Sequence, residues 1–310
     1  MNRKLLVFCC LLASYTLAFA QQDAQYTMYF FNSLAYNPAY AGSVGLTSLT
    51  AIYRHQWAGF DGAPRTFAAS IHSPIASQKM GLGFMLENDR LGIHNRLSAF
   101  GSYAYHIPMN DKVKLSLGLN AGMLYYTSNW ADAPNPIDIT DPNFQNTQTK
   151  VLPNIGLGAY LYSERYYVGL SVPHLLEGTL DNISALSKYD RHYFLTGGVV
   201  IDLNDKLRFK PSALLKYVPN APLEADINLS FLLNDALWLG AAFHTGTGIA
   251  VPIIQYQFKN GLRLGYSYDY NLNGLAGSNS GSHEVMLGWD FAGNNKGGNA
   301  KDKVLSPRFF

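Results

Sequence analysis

The chain has 310 residues, of which 14% are charged and 14% aromatic, and its formal net charge is +2. Charged residues usually make up about 25% of a soluble protein, and a nearly neutral chain offers no electrostatic footprint for nucleic acid. A mean hydropathy of −0.04, with no apolar run after residue 20 long enough for a membrane helix, excludes a helical membrane protein.

Residues 1–20 are predicted to be a signal peptide. Two basic residues at positions 3 and 4 precede an apolar stretch over residues 5–17, and Ala18-Phe19-Ala20 has the small-x-small form of a cleavage site. Both cysteines, Cys9 and Cys10, lie inside this segment. The mature chain is therefore expected to contain no thiol for catalysis, for a disulfide or for metal binding.

Residues 21–45 are predicted to form a lead segment that precedes the first strand. The segment is rich in aromatic residues without a regular period, and Asn37-Pro38 and Ala41-Gly42 interrupt secondary structure. Its aromatic side chains could fill a barrel lumen as a plug, or they could anchor the chain at the periplasmic rim. The plug candidates are Tyr29, Phe30, Tyr36, Asn37, Pro38 and Tyr40.

Alternation of apolar and polar residues predicts a series of β-strands. Between residues 112 and 126, the odd positions are apolar from Val113 to Tyr125, whereas the even positions begin with Lys112 and Lys114. Such a strand has one apolar and one polar face, and it exceeds the usual globular length of about 5–6 residues. Fourteen strands are predicted, at residues 46–57, 65–73, 80–88, 94–106, 112–128, 151–162, 165–173, 190–203, 206–218, 223–233, 236–245, 249–258, 261–270 and 283–292.

An even number of alternating strands predicts an all-β fold, a transmembrane antiparallel β-barrel of the cell outer membrane. Only helices and closed barrels can satisfy every backbone hydrogen bond in lipid. A secreted β-sandwich has the same alternation and is the alternative fold. Pro153, Pro211 and Pro252 each remove a hydrogen-bond donor, so we expect bulges or strand ends at these three positions.

The connections between the predicted strands alternate in length. Short links such as 204–205 alternate with longer ones such as 129–150 and 174–189. Short periplasmic turns and long extracellular loops are typical of outer-membrane barrels, so both termini are expected in the periplasm. After the signal peptide and the lead segment, the predicted organisation is a barrel over residues 46–292 and a flexible periplasmic tail over residues 293–310.

Charged residues fall on the strand faces that would point into the lumen. An ion in hydrocarbon is costly, so a charged side chain on a membrane strand should face the barrel interior. Opposite charges could pair and fill the lumen, or they could line a conducting channel. The predicted inward-facing charges are Arg54, Lys112, Lys114, Glu224, Asp226, Arg263, Asp269, Glu284 and Asp290.

The sequence contains no strong signal for catalysis or for a cofactor. Its eight histidines include no pair at i, i+2 or i+4, so spacing predicts no metal site. Oxygen ligands alternate over residues 138–143 in a way that suits Ca²⁺, although an Asx-rich turn explains this pattern better. A barrel hydrolase would need a histidine and a carboxylate on one strand face, whereas the adjacent His283 and Glu284 point to opposite faces. We therefore expect a protein that is not an enzyme.

The loop between the first two predicted strands offers the best recognition surface. Trp57 and Phe60 lie beside glycines on the side expected to face the cell exterior, where an exposed aromatic side chain can anchor a partner. Asp61 is a third docking candidate. Alternatively, this loop packs against its own barrel. Residues 174–189 could form a short amphipathic helix and a second contact surface.

Several blocks of the chain resemble a known family. QYTMYFFNSLAYNPAYAGS at residues 25–43 and YRHQWAGFDGAPRTFAASIHSPI at residues 53–75 resemble the PorP/SprF family of outer-membrane proteins from Bacteroidetes. Similar blocks follow at residues 81–92 (GLGFMLENDRLG), 191–203 (RHYFLTGGVVIDL) and 282–289 (SHEVMLGW). The resemblance extends over nearly the whole mature chain.

This resemblance implies a component of the type IX secretion system that docks or anchors secreted cargo at the cell surface. The implied cargo includes adhesins with a type B C-terminal domain, and a link to gliding motility is also implied. Other implied partners are the lipid bilayer and the periplasmic secretion machinery or a peptidoglycan-associated lipoprotein. The alternative function is a passive porin-like or hydrophobic-solute channel. A blocked lumen would distinguish docking from conduction.

Overall fold

Alternating residues form fourteen strands, β1–β14, in the computed structural model of the chain. The structure describes residues 26–75, 78–132, 147–179, 188–219, 221–245, 247–271 and 280–291. The strands are β1 (Thr47–His55), β2 (Arg65–Ile75), β3 (Met80–Leu91), β4 (His94–Pro108), β5 (Lys114–Asn129), β6 (Thr147–Tyr162), β7 (Tyr166–Val172), β8 (Tyr193–Val199 and Ile201–Asn204), β9 (Leu207–Tyr217), β10 (Glu224–Leu233), β11 (Leu237–His244), β12 (Ile249–Gln257), β13 (Leu262–Asn271) and β14 (Ser282–Phe291).

The strands close into an antiparallel barrel. Each strand pairs with its neighbours in sequence, and the first and last strands complete the ring. At this seam Thr47 lies opposite Phe291 and Arg54 lies opposite Glu284. Closure leaves no sheet edge in the ring, which is the condition for a sheet that spans a membrane. The prediction of a fourteen-stranded transmembrane barrel is confirmed.

Period-2 alternation sorts the side chains between lumen and exterior. In β1, Ser48, Thr50 and Arg54 are buried inside, whereas Tyr53 is 46% exposed on the outer face. The same alternation recurs in β5, where Leu117 is 48% exposed. The outer face is apolar because it is the surface offered to lipid, and the inner face carries the polar groups.

The two ends of the barrel differ in the length of their connections. One end carries residues 56–64, 130–146, 173–192 and 272–281, and we call it the long-loop end. The opposite end, the short-turn end, carries links such as 205–206 and 234–236. In outer-membrane barrels the longer loops are extracellular and the short turns periplasmic.

The three prolines do not end their own strands, so the prediction of bulges or strand ends at them is wrong. Pro153 lies within β6, in the part of this strand that extends beyond its pairing with β7. Pro211 lies within β9 beside the break between the two pieces of β8, and Pro252 lies at a gap in the β12–β13 ladder. The missing donor therefore affects the neighbouring ladder rather than the strand that contains the proline.

The remaining described elements are short. Three 3₁₀ turns precede β1, at Tyr29–Phe31, Ser33–Ala35 and Pro38–Tyr40, and Trp130–Asp132 follows β5. Gly178–Thr179 pairs with Lys188–Tyr189 in the loop before β8. Across the described ranges, no helix is long and apolar enough to cross a membrane. The calcium-like pattern at residues 138–143 lies outside the described residues, as do residues 180–187 of the segment 174–189 for which a helix is predicted.

Candidate functional site

The described part of the lead segment, residues 26–45, lies against the inner faces of the strands. Every residue from Tyr26 to Val44 is buried except Ser33 and Ala35, which are half-buried. Its last 3₁₀ turn begins at Pro38, whose fixed φ suits the first helical position, and the Asn37 side chain caps this turn by accepting a hydrogen bond from Ala39 N at 3.0 Å.

Glu284 on β14 holds the beginning of this segment. Its two carboxylate oxygens accept hydrogen bonds from Met28 N at 2.8 Å and from Thr27 N at 3.0 Å. Arg54 on β1 pairs with Glu284 at 2.9 Å and also pairs with Asp269 on β13. All three charged side chains are nearly inaccessible. We call Arg54, Asp269 and Glu284 the charged anchor.

Further polar contacts surround the charged anchor. Thr27 Oγ1 donates to Asp269 at 3.3 Å and lies 3.1 Å from His244 Nε2. His244 Nδ1 in turn lies 2.5 Å from Asp226. Each of these buried polar groups has a partner, which offsets the cost of removing it from water. The threonine side chain therefore belongs to the anchor network, a role that its sequence position did not indicate.

The aromatic residues that follow pack deeper in the lumen, nearer the short-turn end of the barrel. The Phe31 ring lies 6.2 Å from the Trp238 ring on β11, between centroids. Lys210 on β9 is 2% exposed, and its Nζ lies 5.8 Å from the Phe30 ring and 5.6 Å from the Trp238 ring. Cation–π attraction is strongest at desolvated sites such as this one. The period-2 pattern of β9 could have assigned Lys210 to the inner face.

Two glycines allow the segment to approach the wall closely. A Cβ atom at Gly118 on β5 would lie 2.2 Å from Ala39 N, and one at Gly81 on β3 would lie 2.0 Å from Ala41 O. Real Cβ atoms do not approach other atoms so closely, so only glycine fits at these positions. The wall is therefore shaped to the backbone of the lead segment, which alternation alone does not reveal.

The lead segment crosses the lumen from one end of the barrel to the other. Thr27 and Met28 lie at the long-loop end, beside the last turns of β1 and β13. Ala39 O accepts a hydrogen bond from Ser116 Oγ at 2.6 Å, close to the short-turn end of β5. The prediction that both termini lie at the short-turn end is therefore wrong for the first described residues. The predicted topology follows the short and long connections from β1 onward, so it does not include the crossing made by the lead segment.

The other predicted inward charges are placed as follows. Arg263 pairs with Asp290 at 3.1 Å, and Glu224 pairs with Lys216 at 3.1 Å. Asp226 and Asp290 are buried, and Lys114 and Glu224 are half-buried. Lys112 is exposed in the turn before β5, so its predicted inward orientation is wrong. The strand begins two residues later than the alternation suggested.

The loop 56–64 is hydrogen-bonded to neighbouring segments at the long-loop end. Ala58 N donates to Gly281 O at 2.8 Å, and Trp57 N donates to Ser282 Oγ at 3.2 Å. Gly92 N also donates to Gly62 O at 2.9 Å. Of the predicted docking residues, Phe60 is 45% exposed and Asp61 is exposed, whereas Trp57 is half-buried. The loop thus packs against its own barrel and still presents Phe60 outward.

The described residues include no recognisable metal centre. Within the described ranges, no group of three His, Cys, Asp or Glu side chains could hold a metal ion. Glu284 faces the lumen, whereas the ring of the neighbouring His283 packs at a tilt against the Tyr268 ring, with the centroids 5.2 Å apart. At the short-turn end a groove is lined by residues 42–45 and by Gln78, Asp111, Lys112 and Glu164.

Comparisons with known proteins support the barrel assignment. A family model described as type IX secretion system membrane protein PorP/SprF matches residues 18–289. The Ralstonia pickettii toluene transporter TbuX superposes with a TM-score of 0.52 at 12% identity, covering 84% of this chain and 93% of that chain. The Acinetobacter baumannii outer membrane protein Omp33 gives a TM-score of 0.48 at 8% identity, covering 81% of this chain and 100% of that chain. A search of curated proteins gives no match. At 12% identity the likeness to TbuX shows the outer-membrane barrel fold alone.

Proposed function

Because the chain belongs to the PorP/SprF family of type IX secretion system membrane proteins, we propose that it docks secreted cargo at the cell surface. The protein is an outer-membrane β-barrel. The proposed cargo is a secreted adhesin that carries a type B C-terminal domain. Docking of this kind requires no catalysis. A contribution to gliding motility through such an adhesin is part of the same proposal.

The occupied lumen is the observation that carries this proposal. The lead segment is buried, contacts Glu284 on one wall and Trp238 on another, and fits against Gly118 on a third. Burying each of its large aromatic side chains contributes about 1.5–3 kcal/mol. We propose that the segment is a plug, which leaves the barrel to act through its two exposed ends rather than as a conduit.

The loop 56–64 is the proposed docking surface on the extracellular end. Phe60 is exposed on a loop whose backbone is already fixed by hydrogen bonds to residues 280–282 and to Gly92. A rigid loop loses little conformational entropy on binding, so an aromatic anchor on it is effective. Asp61 beside it would add a charged contact at the rim of the interface.

The groove at the short-turn end is the proposed contact for a periplasmic partner. Backbone from residues 42–45 and the charged side chains of Asp111, Lys112 and Glu164 line it. Mixed charges favour recognition of a partner with complementary polar groups. The periplasmic secretion machinery or a peptidoglycan-associated lipoprotein would bind here, so that cargo outside and machinery inside share one barrel.

The double variant Trp57→Ala and Phe60→Ala tests extracellular docking. Truncating a central aromatic anchor commonly costs about 2 kcal/mol or more of binding free energy, which is roughly a thirtyfold loss of affinity. We expect cargo to appear in the culture medium instead of on the cell surface. Immunoblotting of cells and medium measures this redistribution.

Phe258→Ala is the matched control, because Phe258 is an aromatic residue, 39% exposed, in a turn at the opposite end of the barrel and outside the groove. This variant should retain cargo on the cells. The shift in gel mobility between unheated and heated samples reports whether each barrel is folded. A folded double variant that keeps its cargo on the surface would show that this loop is not the docking site.

A further inference from the structure

We propose that Arg65 and Arg90, on the outer surface of the barrel at its long-loop end, bind a phosphate group of a glycolipid in the outer leaflet of the membrane. The lipid would stand against β2 and β3, with its phosphate at the two arginines and its acyl chains along the apolar wall below them. The proposal requires the long-loop end of the barrel to be extracellular, but it does not require the cargo-docking function.

Strand register places the two arginines side by side. Arg65 lies directly opposite Arg90 in the β2–β3 ladder, and both residues are exposed. Phe67, the next residue on the same face of β2, is exposed on the outside of the barrel, whereas Thr66 between them is buried inside. Because side chains alternate between the two faces of a strand, both arginines belong to the outer surface.

The level of the two arginines matches the boundary of the hydrocarbon core. Arg65 is the first of the 11 residues of β2, which ends at Ile75 at the short-turn end. A strand of this length, tilted by about 35–45°, rises about 25 Å, which is the height of the apolar band of an outer-membrane barrel. Below the arginines, Phe67, Ile71 and Phe84 are exposed on the outer surface. A molecule bound to the arginines therefore has an apolar wall beneath it, as a lipid requires.

The carboxylates near the two arginines do not compensate their charges. Glu87 and Asp89 on β3 occupy the alternate positions and form their contacts with lumen-facing side chains. Within the described ranges, neither Arg65 nor Arg90 forms an ion pair or a side-chain hydrogen bond. Like charges directly opposite one another on neighbouring strands destabilise a sheet. A phosphate group shared by the two residues would remove this repulsion, and its oxygens match the donor geometry of guanidinium groups.

The side chains that flank the arginines favour a glycolipid over a simple phospholipid. Asn95 on β4 lies directly opposite Arg90, and Asn88 is the next residue below Arg90 on the same face. Asn88 Nδ2 donates to Asn95 Oδ1 at 2.9 Å, and each amide retains further donor and acceptor positions that suit sugar hydroxyl groups. On the other side, His55 of β1 lies directly opposite Arg65 and offers a ring nitrogen. The phosphate site is therefore bordered by groups that can hydrogen-bond to a phosphorylated sugar.

Native mass spectrometry of the purified barrel, titrated with lipid A, tests this site. The double variant Arg65→Gln and Arg90→Gln should bind lipid A roughly thirtyfold more weakly than the unaltered protein, since each basic residue near an anionic lipid surface contributes about a fivefold gain in affinity. Lys79→Gln is the matched control, because Lys79 is exposed in the link between the same two strands at the short-turn end. This control should bind lipid A as the unaltered protein does. Replacing both arginines with lysine keeps the charges and should preserve most of the affinity.

Two further lipids identify the chemistry that is recognised. Dephosphorylated lipid A should bind weakly to the unaltered protein and equally weakly to the glutamine variant, and phosphatidylglycerol should bind more weakly than lipid A. Equal affinities of the folded glutamine variant and the unaltered protein for lipid A would overturn the proposal, as would equal binding of lipid A with and without its phosphates. Phosphatidylglycerol bound as tightly as lipid A would overturn the assignment to a glycolipid. Heat-modifiable mobility verifies that each barrel is folded. If the double variant does not fold, each single glutamine substitution should show about a fivefold loss.

Discussion

Deleting residues 26–42 is expected to change a barrel of small conductance into an open channel. The deleted residues fill the space between walls that contact them at Glu284, Gly118 and Trp238. A fourteen-stranded barrel is wider than the small barrels that side chains fill, and narrower than open porins of 16–18 strands. Removing the segment should therefore admit water and ions, and single-channel recording in planar bilayers measures the increase.

The intact protein is the decisive comparison in this experiment. It should give small or no steady conductance, because the lead segment is anchored at both ends of the lumen. High and steady conductance of the intact protein would support the porin-like alternative and refute the plug. Heat-modifiable mobility of the deletion variant establishes that its recordings come from a folded barrel.

Replacing Glu284 with alanine is expected to cause the largest loss of stability among single substitutions in the lumen. A carboxylate oxygen of Glu284 lies 2.9 Å from the guanidinium group of the buried Arg54, so the two charges compensate each other. Glu284 also accepts hydrogen bonds from two backbone N–H groups. Arg54 keeps Asp269 as a partner, but the N–H groups of Thr27 and Met28 lose their acceptor, and each buried donor left without a partner costs about 1–3 kcal/mol. Samples are heated to a series of temperatures before electrophoresis. The band of the folded barrel should disappear at a markedly lower temperature for this variant than for the unaltered protein.

Asp202→Ala is the matched control for this substitution. Asp202 pairs with Arg165 at 2.7 Å, but the two side chains are 41% and 68% exposed. Exposed pairs contribute about 0–1 kcal/mol, so this variant should unfold near the temperature of the unaltered protein. Glu284→Gln should be intermediate, because an amide oxygen still accepts a hydrogen bond. Equal shifts for Glu284→Ala and Asp202→Ala would refute the structural importance of the charged anchor.

The sequence predicts the barrel well because the alternation of apolar and polar residues can be read directly from the chain. An even number of such strands then indicates a closed barrel. A period of two residues assigns Arg54, Arg263, Asp269 and Glu284 to one face, and these side chains are buried. The start of β5 is predicted two residues too early, since Lys112 continues the alternation into a turn. Alternation gives the face of a residue but not the point at which backbone pairing begins.

The contents of the lumen could be predicted only in part. The large aromatic side chains of Tyr29, Phe30 and Tyr36 make these residues candidates to lie inside the lumen, and all three are buried. Their partners depend on register across the closed ring, which no local pattern encodes. Thr27 and Gly118 illustrate this limit, because each acquires its role only when distant strands bring Glu284 or the lead segment into contact with it.

Cross-linking from the extracellular loop in intact cells tests the central claim most directly. A photoreactive benzoylphenylalanine replaces Phe60, and a matched protein carries it at Met109 in the opposite end of the barrel. Mass spectrometry of the cross-linked products should identify a secreted protein with a type B C-terminal domain at position 60 and not at position 109. Cargo cross-linked at position 109, with none at position 60 of a folded barrel, would contradict docking at the cell surface.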